Sequence, residues 1–159
     1  MKRPARSRPY LDAAQVLLRE SGCIVRRYRT SVTGVASVRS DDWEIEAPEP
    51  LGPVSFAVLA HEIGHQLLHR TRNRPRWLEE LEAWEYALKQ FERFDLKGID
   101  RARHSAKKSL VYAAIKAARR GNAKTAQTIL DRYPSWVWDG DAPDIMVVGE
   151  LVACAKGTP

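Results

Sequence analysis

The chain has 159 residues, of which 44% are hydrophobic and 29% charged, and this balance is typical of a soluble domain with a packed core. Cys23 and Cys154 stand far apart and form no C-x-x-C pair, so we expect reduced thiols in a cytoplasmic protein. No apolar run approaches membrane-spanning length, and no apolar segment follows the basic N-terminus as in a secretion signal. These features argue against a disulfide-stapled secreted scaffold and against a membrane partner. The net charge of +6 is compatible with nucleic acid or with an acidic partner.

The first third of the chain predicts a short helix followed by a small sheet. Residues 1–9 are basic and carry two prolines, so we expect a flexible arm there. A helix is predicted over residues 10–20, because its leucines and Ala14 share one face and Ser21-Gly22 follows as a stop. Residues 23–29, 32–38 and 43–46 are β-prone, and we predict that they form a small antiparallel sheet.

The remaining elements are predicted to be mainly helical. Helices are expected over residues 54–70, 76–94, 100–120 and 123–133, with stop signals at Gly98, Gly121 and Pro134. Residues 145–154 are apolar, and periodicity alone does not distinguish a strand from a short helix there.

One motif in the first of these helices carries the chemistry. His61, Glu62 and His65 form H-E-x-x-H, which places the two histidines one turn apart on one helical face. Neutral imidazoles at that spacing can share a zinc ion, while the glutamate reaches a water without being a ligand. An apolar stripe beside the histidines indicates that the helix is buried. The stripe consists of Phe56, Leu59, Ala60, Ile63 and Leu67.

A zinc site of this kind needs a third protein ligand from elsewhere in the chain. His69 shares the face of the pair, but a straight helix separates it from His61 by roughly 12 Å, too far for one ion with bonds near 2 Å. The acidic helix that follows can fold back against the motif helix and present a glutamate from its first turns. The candidates from that helix are Glu79, Glu80, Glu82 and Glu85.

The two motifs together resemble those of the ImmA/IrrE family of zinc metallopeptidases. That family's pattern is A-H-E-[LI]-G-H-x-L-L-H followed by E-x-x-A-x-x-[FY]-A, and this chain matches it over residues 60–69 and 80–87. The resemblance implies that Glu80 is the third zinc ligand beside His61 and His65, and that Glu62 is the general base. It covers about residues 10–95 and implies cleavage of a transcriptional repressor.

The fold expected from these observations is one α+β domain of the minimal zincin type. Residues 10–98 would form the metallopeptidase core, and residues 99–159 a C-terminal helical extension of the same domain. Tyr86, His104 and Tyr112 are candidate donors for a developing oxyanion.

The function expected is a zinc-dependent endopeptidase acting on a protein substrate such as a DNA-binding repressor. The alternative is a nucleic-acid- or protein-binding module on a zincin scaffold without proteolytic activity. Residues 101–120 carry seven Lys or Arg and no acid, so they could make weak contact with nucleic-acid phosphates, although a solvated basic face explains the same pattern.

Overall fold

The computed structural model of the chain describes residues 7–36, 43–69, 73–139 and 142–157. These ranges contain six α-helices, three strands and a short 3₁₀ turn, so the predicted α+β class is confirmed. Most of the predicted N-terminal arm lies outside the described residues.

The chain divides into two units. The first unit comprises Met1–Arg74 and Glu82–Ser105, and the second comprises Pro75–Leu81 and Ala106–Pro159. The predicted domain limits stay a prediction.

The first unit begins with helix α1 (Arg8–Ser21), close to its predicted limits. Its apolar face is buried, with Leu17 only 1% exposed. The helix ends at Gly22, whose φ of 72° is the left-handed conformation that glycine adopts at a helix C-terminus without steric cost.

The sheet contains three strands, β1 (Ile24–Arg29), β2 (Val35–Ala36) and β3 (Glu44–Pro48), in the order β1-β3-β2. The prediction of an antiparallel sheet is wrong for its longest pairing, because β1 runs parallel to β3. Only β2 pairs with β3 in the antiparallel sense. Hairpins would have made consecutive strands antiparallel neighbours, whereas here β3 lies between the two strands that precede it.

Helix α2 (Pro53–His69) carries the H-E-x-x-H motif and lies at the centre of the first unit. Every residue from 56 to 66 is buried, because α1 and the sheet both pack against this helix. The buried Gln66 side chain donates a hydrogen bond to the Glu44 carbonyl oxygen at 3.0 Å and so ties the helix to β3. Leu67 was predicted in the apolar stripe, but it is 42% exposed because the packed layers end before the last turn.

Helix α3 (Arg76–Arg93) follows the motif helix and packs against it. The rings of Phe56 and Phe91 meet edge to face at 5.4 Å. Ala83 and Ala87 are fully buried, and such small residues allow two helix backbones to approach closely.

The second unit is helical throughout its described residues. Tyr133 donates a hydrogen bond from its hydroxyl to the Trp77 carbonyl oxygen at 2.9 Å, and burial raises the pKa of this hydroxyl. Residues 145–154, which the sequence left open between strand and helix, are helical. The second unit contains the first turns of α3, α4 (Ile99–Arg120) from Ala106 onwards, α5 (Ala123–Arg132), the 3₁₀ turn Ser135–Val137 and α6 (Ala142–Ala155).

Candidate metal centre

The two histidines of the motif lie side by side on α2, as the four-residue spacing predicts. His61 and His65 are 6% and 2% exposed, and their Nε2 atoms are 3.1 Å apart. At this distance one ring donates a hydrogen bond and the other accepts it. The rings meet edge to face, with centroids 4.5 Å apart. Both Nε2 atoms therefore point to the same place, which is what a shared ligand requires.

Gly64 makes room for α3 beside the histidines. A Cβ atom built on Gly64 would lie 3.1 Å from the Tyr86 ring and 3.2 Å from the backbone of Ala83. The absence of a side chain thus lets the two helix backbones meet. The Trp84 ring packs against His61 at 4.3 Å between centroids, which limits the rotation of that imidazole.

The same helix α3 supplies a carboxylate to the histidine pair. One ligand atom each from His61, His65 and Glu80 can be chosen so that all three lie within 4.8 Å of one another, and all three residues are buried. A metal with bonds near 2 Å holds its ligand atoms about 3 to 4 Å apart, so the histidine nitrogens already have this spacing. Two imidazoles and one carboxylate also match the ligand types that first-row divalent metals take. These three residues could hold a metal ion.

The Glu80 carboxylate has further partners that the sequence motif did not reveal. Arg76 lies one turn earlier on α3, and its guanidinium is 2.6 Å from Oε1 of Glu80. The Ser109 hydroxyl on α4 donates to Oε2 at 3.5 Å. The i,i+4 spacing of Arg76 and Glu80 is a sequence signal that could have indicated this pair. No local signal connects Ser109, which is distant in the chain.

The other candidates for the third ligand are placed differently. Glu79 forms an ion pair with Arg76 at 3.7 Å, and Glu82 is hydrogen-bonded to Arg74. Glu85 is exposed. The side chain of His69 lies outside the described residues. Among the described residues, Glu80 is the carboxylate that clusters with both histidines.

Glu62, the predicted general base, is also buried, at 6% exposed. Gly34 lies directly against its side chain, since a Cβ built there would be 2.4 Å from Oε1 of Glu62. The backbone just before β2 therefore covers this carboxylate closely. Gly34 lies within residues 32–38, which were predicted only as a strand, so the sequence missed this contact.

The predicted oxyanion donors are dispersed. The Tyr86 ring abuts Gly64, and burial raises the pKa of its hydroxyl. His104 is exposed on α4, and Tyr112 is 67% exposed. Among the contacts of the described residues, it is the Tyr86 ring that touches the motif helix, at Gly64.

The predicted basic segment forms the exposed side of α4. Arg101, Arg103 and Lys108 are exposed, whereas Lys107 donates a hydrogen bond to the Asp139 carbonyl oxygen. Nearer the end of the helix, Arg119 is paired with Glu150 at 2.8 Å. Part of the charge is therefore used in contacts within the chain.

Comparison of the chain with protein-family models, with curated proteins and with solved structures found no match. In the described part of the chain, no helix combines the length and the apolar character needed to cross a membrane.

Proposed function

We propose that this protein is a zinc-dependent endopeptidase whose metal is held by His61, His65 and Glu80. The observation that supports this most strongly is the convergence of these three buried residues, with ligand atoms within 4.8 Å of one another. Burial of two imidazoles and a carboxylate in one place costs free energy unless the groups are paired or coordinated. Coordination of a metal ion would offset this cost. The resemblance of the two motifs to ImmA/IrrE metallopeptidases points to the same three residues.

Zinc is the proposed metal because the H-E-x-x-H motif is typical of zinc metallopeptidases. Two histidines and a glutamate would hold the metal and leave a position for water or substrate, as in catalytic rather than structural zinc sites. When bound, zinc supplies a Lewis acid that polarises a scissile carbonyl and makes a water molecule more acidic. Arg76 and Ser109 bind the Glu80 carboxylate and so fix its orientation before any metal enters.

Glu62 is proposed as the general base of peptide hydrolysis. It follows His61 directly, so helix geometry turns it about 100° from the ligand face. Its carboxylate accepts a proton from the attacking water and returns it to the leaving amine. The contact with Gly34 limits the positions that this carboxylate can take.

The proposed substrate is a regulatory protein such as a DNA-binding repressor, because the resemblance implies one. An extended segment of the substrate would allow its scissile peptide bond to reach Glu62 and the metal ligands at the same time. The cytoplasmic location expected from the reduced thiols suits such a substrate, and it stays a prediction.

The test is a search for new peptide termini. Zinc-loaded protein and its Glu62→Gln variant are each incubated with a denatured proteome-derived peptide library, and new N-termini are identified by mass spectrometry. We expect a discrete set of cleavages that falls about 10²- to 10⁴-fold in the variant, the usual contribution of a general base. Glu85→Gln, which changes an exposed carboxyl on α3, is the matched control and should keep the full set. Equal cleavage by Glu62→Gln and the unmodified protein would contradict the proposal.

A further inference from the structure

A cavity of about 790 Å³ lies in the second unit beside Glu80. Its walls come from the start of α3, the second half of α4 and the first turns of α5, and all of its lining residues belong to that unit. Ligand sites in proteins are commonly about 300 to 1,000 Å³, so the cavity has the volume of a binding site. Glu80 lines this cavity and also belongs to the metal cluster, so a molecule in the cavity would lie next to one of the three candidate ligands.

The walls of this cavity are predominantly cationic. Lys116, Arg120 and Lys124 line it together with the paired Arg76 and Glu80. The ion pairs found among the described residues of the second unit join Arg76 to Glu79 and Glu80, and Arg119 to Glu150. The three cations from α4 and α5 take part in none of these pairs. These three side chains line the cavity and are exposed, so their positive charge can reach an anion that enters from solvent.

The α4–α5 turn places the N-terminal end of α5 on the same wall. Asn122 caps α5 by accepting a hydrogen bond from the Thr125 backbone N–H at 3.0 Å, and both residues line the cavity. The first turn of a helix carries backbone N–H groups without intrahelical partners and a partial positive charge. This reinforces the preference of the cationic wall for an anion.

The remaining lining suits the apolar part of a side chain. Ala113 and Ala117 line the cavity from α4, one turn apart, and Trp77 lies at the start of α3. Tyr112 is 67% exposed at the edge, with the Lys116 ammonium 5.6 Å from its ring centroid. The short methyl groups of the alanines leave space between the cations. A side chain with methylene groups and a terminal carboxylate therefore matches this lining, because its methylenes can contact the alanines and its carboxylate can contact the cations.

We infer that this cavity is a substrate subsite that takes an acidic side chain of the polypeptide to be cleaved. The inference rests on the proposed function, because it is the metal cluster at Glu80 that makes the occupant a substrate. A glutamate or aspartate near the scissile bond would place its carboxylate among Lys116, Arg120 and Lys124. Charged groups of this kind contribute mainly to selectivity and to the rate of association.

The test uses small ligands that carry their own zinc-binding group. Tripeptide hydroxamates are prepared with glutamate at one of three positions, each with a glutamine counterpart, and their binding to the zinc-loaded protein is measured by titration calorimetry. We expect the glutamate ligand to bind about fivefold more tightly at one position, the scale of one or two partly exposed charge pairs. The difference should shrink at high salt, because exposed charges are screened.

Matched triple variants show whether the cavity is responsible. Lys116→Gln, Arg120→Gln and Lys124→Gln together should abolish the preference for the glutamate ligand over its glutamine counterpart. Arg101→Gln, Arg103→Gln and Lys108→Gln remove the same charge from the exposed side of α4 and should retain the preference. Circular dichroism confirms that both variants are folded.

Each contrary result has a separate meaning. If neither member of a pair binds because the protein takes up no zinc, the proposed function fails and the subsite assignment fails with it. If both members bind equally at all three positions, or if the preference survives the cavity variant, the subsite alone is overturned. Binding of a labelled dT12 oligonucleotide that the cavity variant abolishes and that displaces the glutamate ligand would assign these cations to phosphates and would also overturn it.

Discussion

Glu80 illustrates how much of the centre depends on single side chains. Its carboxylate contacts Arg76 and Ser109 and also belongs to the cluster with the two histidines. A carboxylate held by two hydrogen-bond donors loses less conformational freedom when it binds a metal. The residues around a ligand therefore influence metal affinity without touching the metal.

Gly34 permits the close contact with Glu62, and this gives a prediction at the residue scale. Gly34→Ala would place a methyl group within 2.4 Å of Oε1 of Glu62, so the glutamate or the backbone must move. We expect cleavage to fall, and the free energy of unfolding to drop by about 1 to 3 kcal/mol, as overpacking usually costs. Thermal and urea unfolding followed by circular dichroism measure the second effect.

Gly52→Ala is the control for this change. A Cβ on Gly52 would meet nothing within 4 Å, so both activity and stability should stay near those of the unmodified protein. Equal behaviour of the two variants would show that the Gly34 contact does not constrain Glu62.

At the scale of elements, the centre depends on the spacing between α2 and α3. Gly64→Ala would put a Cβ 3.2 Å from the Ala83 backbone, so α3 would have to shift by a few tenths of an ångström. Alanine is favoured over glycine in a helix by about 1 kcal/mol, which offsets the steric cost in stability. We therefore expect little change in unfolding temperature but about tenfold weaker zinc binding, the lower end of effects from outside the ligand set.

The same substitution in another helix provides the comparison. Gly149→Ala lies in α6, where a Cβ would meet nothing within 4 Å, and it should leave zinc affinity unchanged. Competition with a chelating dye measures both affinities. Unaltered binding in Gly64→Ala would mean that the α2–α3 approach does not set the position of Glu80.

A second element-scale prediction concerns the ion pair between α1 and α3. The Arg93 guanidinium donates two hydrogen bonds to the Glu20 carboxylate, at 2.8 and 2.7 Å, and lowers the pKa of that carboxyl below its ordinary value of 4.5. A lowered folded-state pKa stabilises the protein above the unfolded value, and this contribution disappears as the pH falls through the folded value. Arg93→Gln should therefore lower the unfolding temperature at pH 7 but not at a pH below both values.

The partner substitution tests whether the pair itself is responsible. Glu20→Gln should give the same pH-dependent loss, and the double variant should lose little more than either single one. A loss in Arg93→Gln that is equal at every pH would contradict the assignment to this carboxylate. Thermal unfolding measured from pH 2.5 to 7 distinguishes the two results.

For the whole molecule, the sequence predicted the first five helices well because each has its own local signals, whereas the segment of α6 was left open between strand and helix. Gly22 ends α1, and the apolar repeat places α2 and α3 within a residue or two of their observed limits. The motif also predicted that His61 and His65 share a face, since this follows from helix geometry alone. Local chemistry was sufficient wherever the relevant neighbours are close in the chain.

The errors lie where distant segments meet. Alternation in β1 and β3 looks the same in parallel and antiparallel pairing, so the direction of the sheet was not encoded in the pattern. Leu67 fits the stripe of α2, yet its burial depends on where the neighbouring layers end. Contacts such as Ser109 with Glu80 or Gly34 with Glu62 likewise join separate parts of the chain and leave no periodic signal.

The proposed metal centre is tested most directly by the zinc content of the purified protein, measured by elemental analysis after zinc is supplied and excess is removed. We predict about one zinc per chain in the unmodified protein and in Glu79→Gln, and a loss of zinc in His65→Ala and Glu80→Gln, because the proposed site needs all three ligands. An unmodified protein without zinc, or full retention of zinc in Glu80→Gln, would contradict the account.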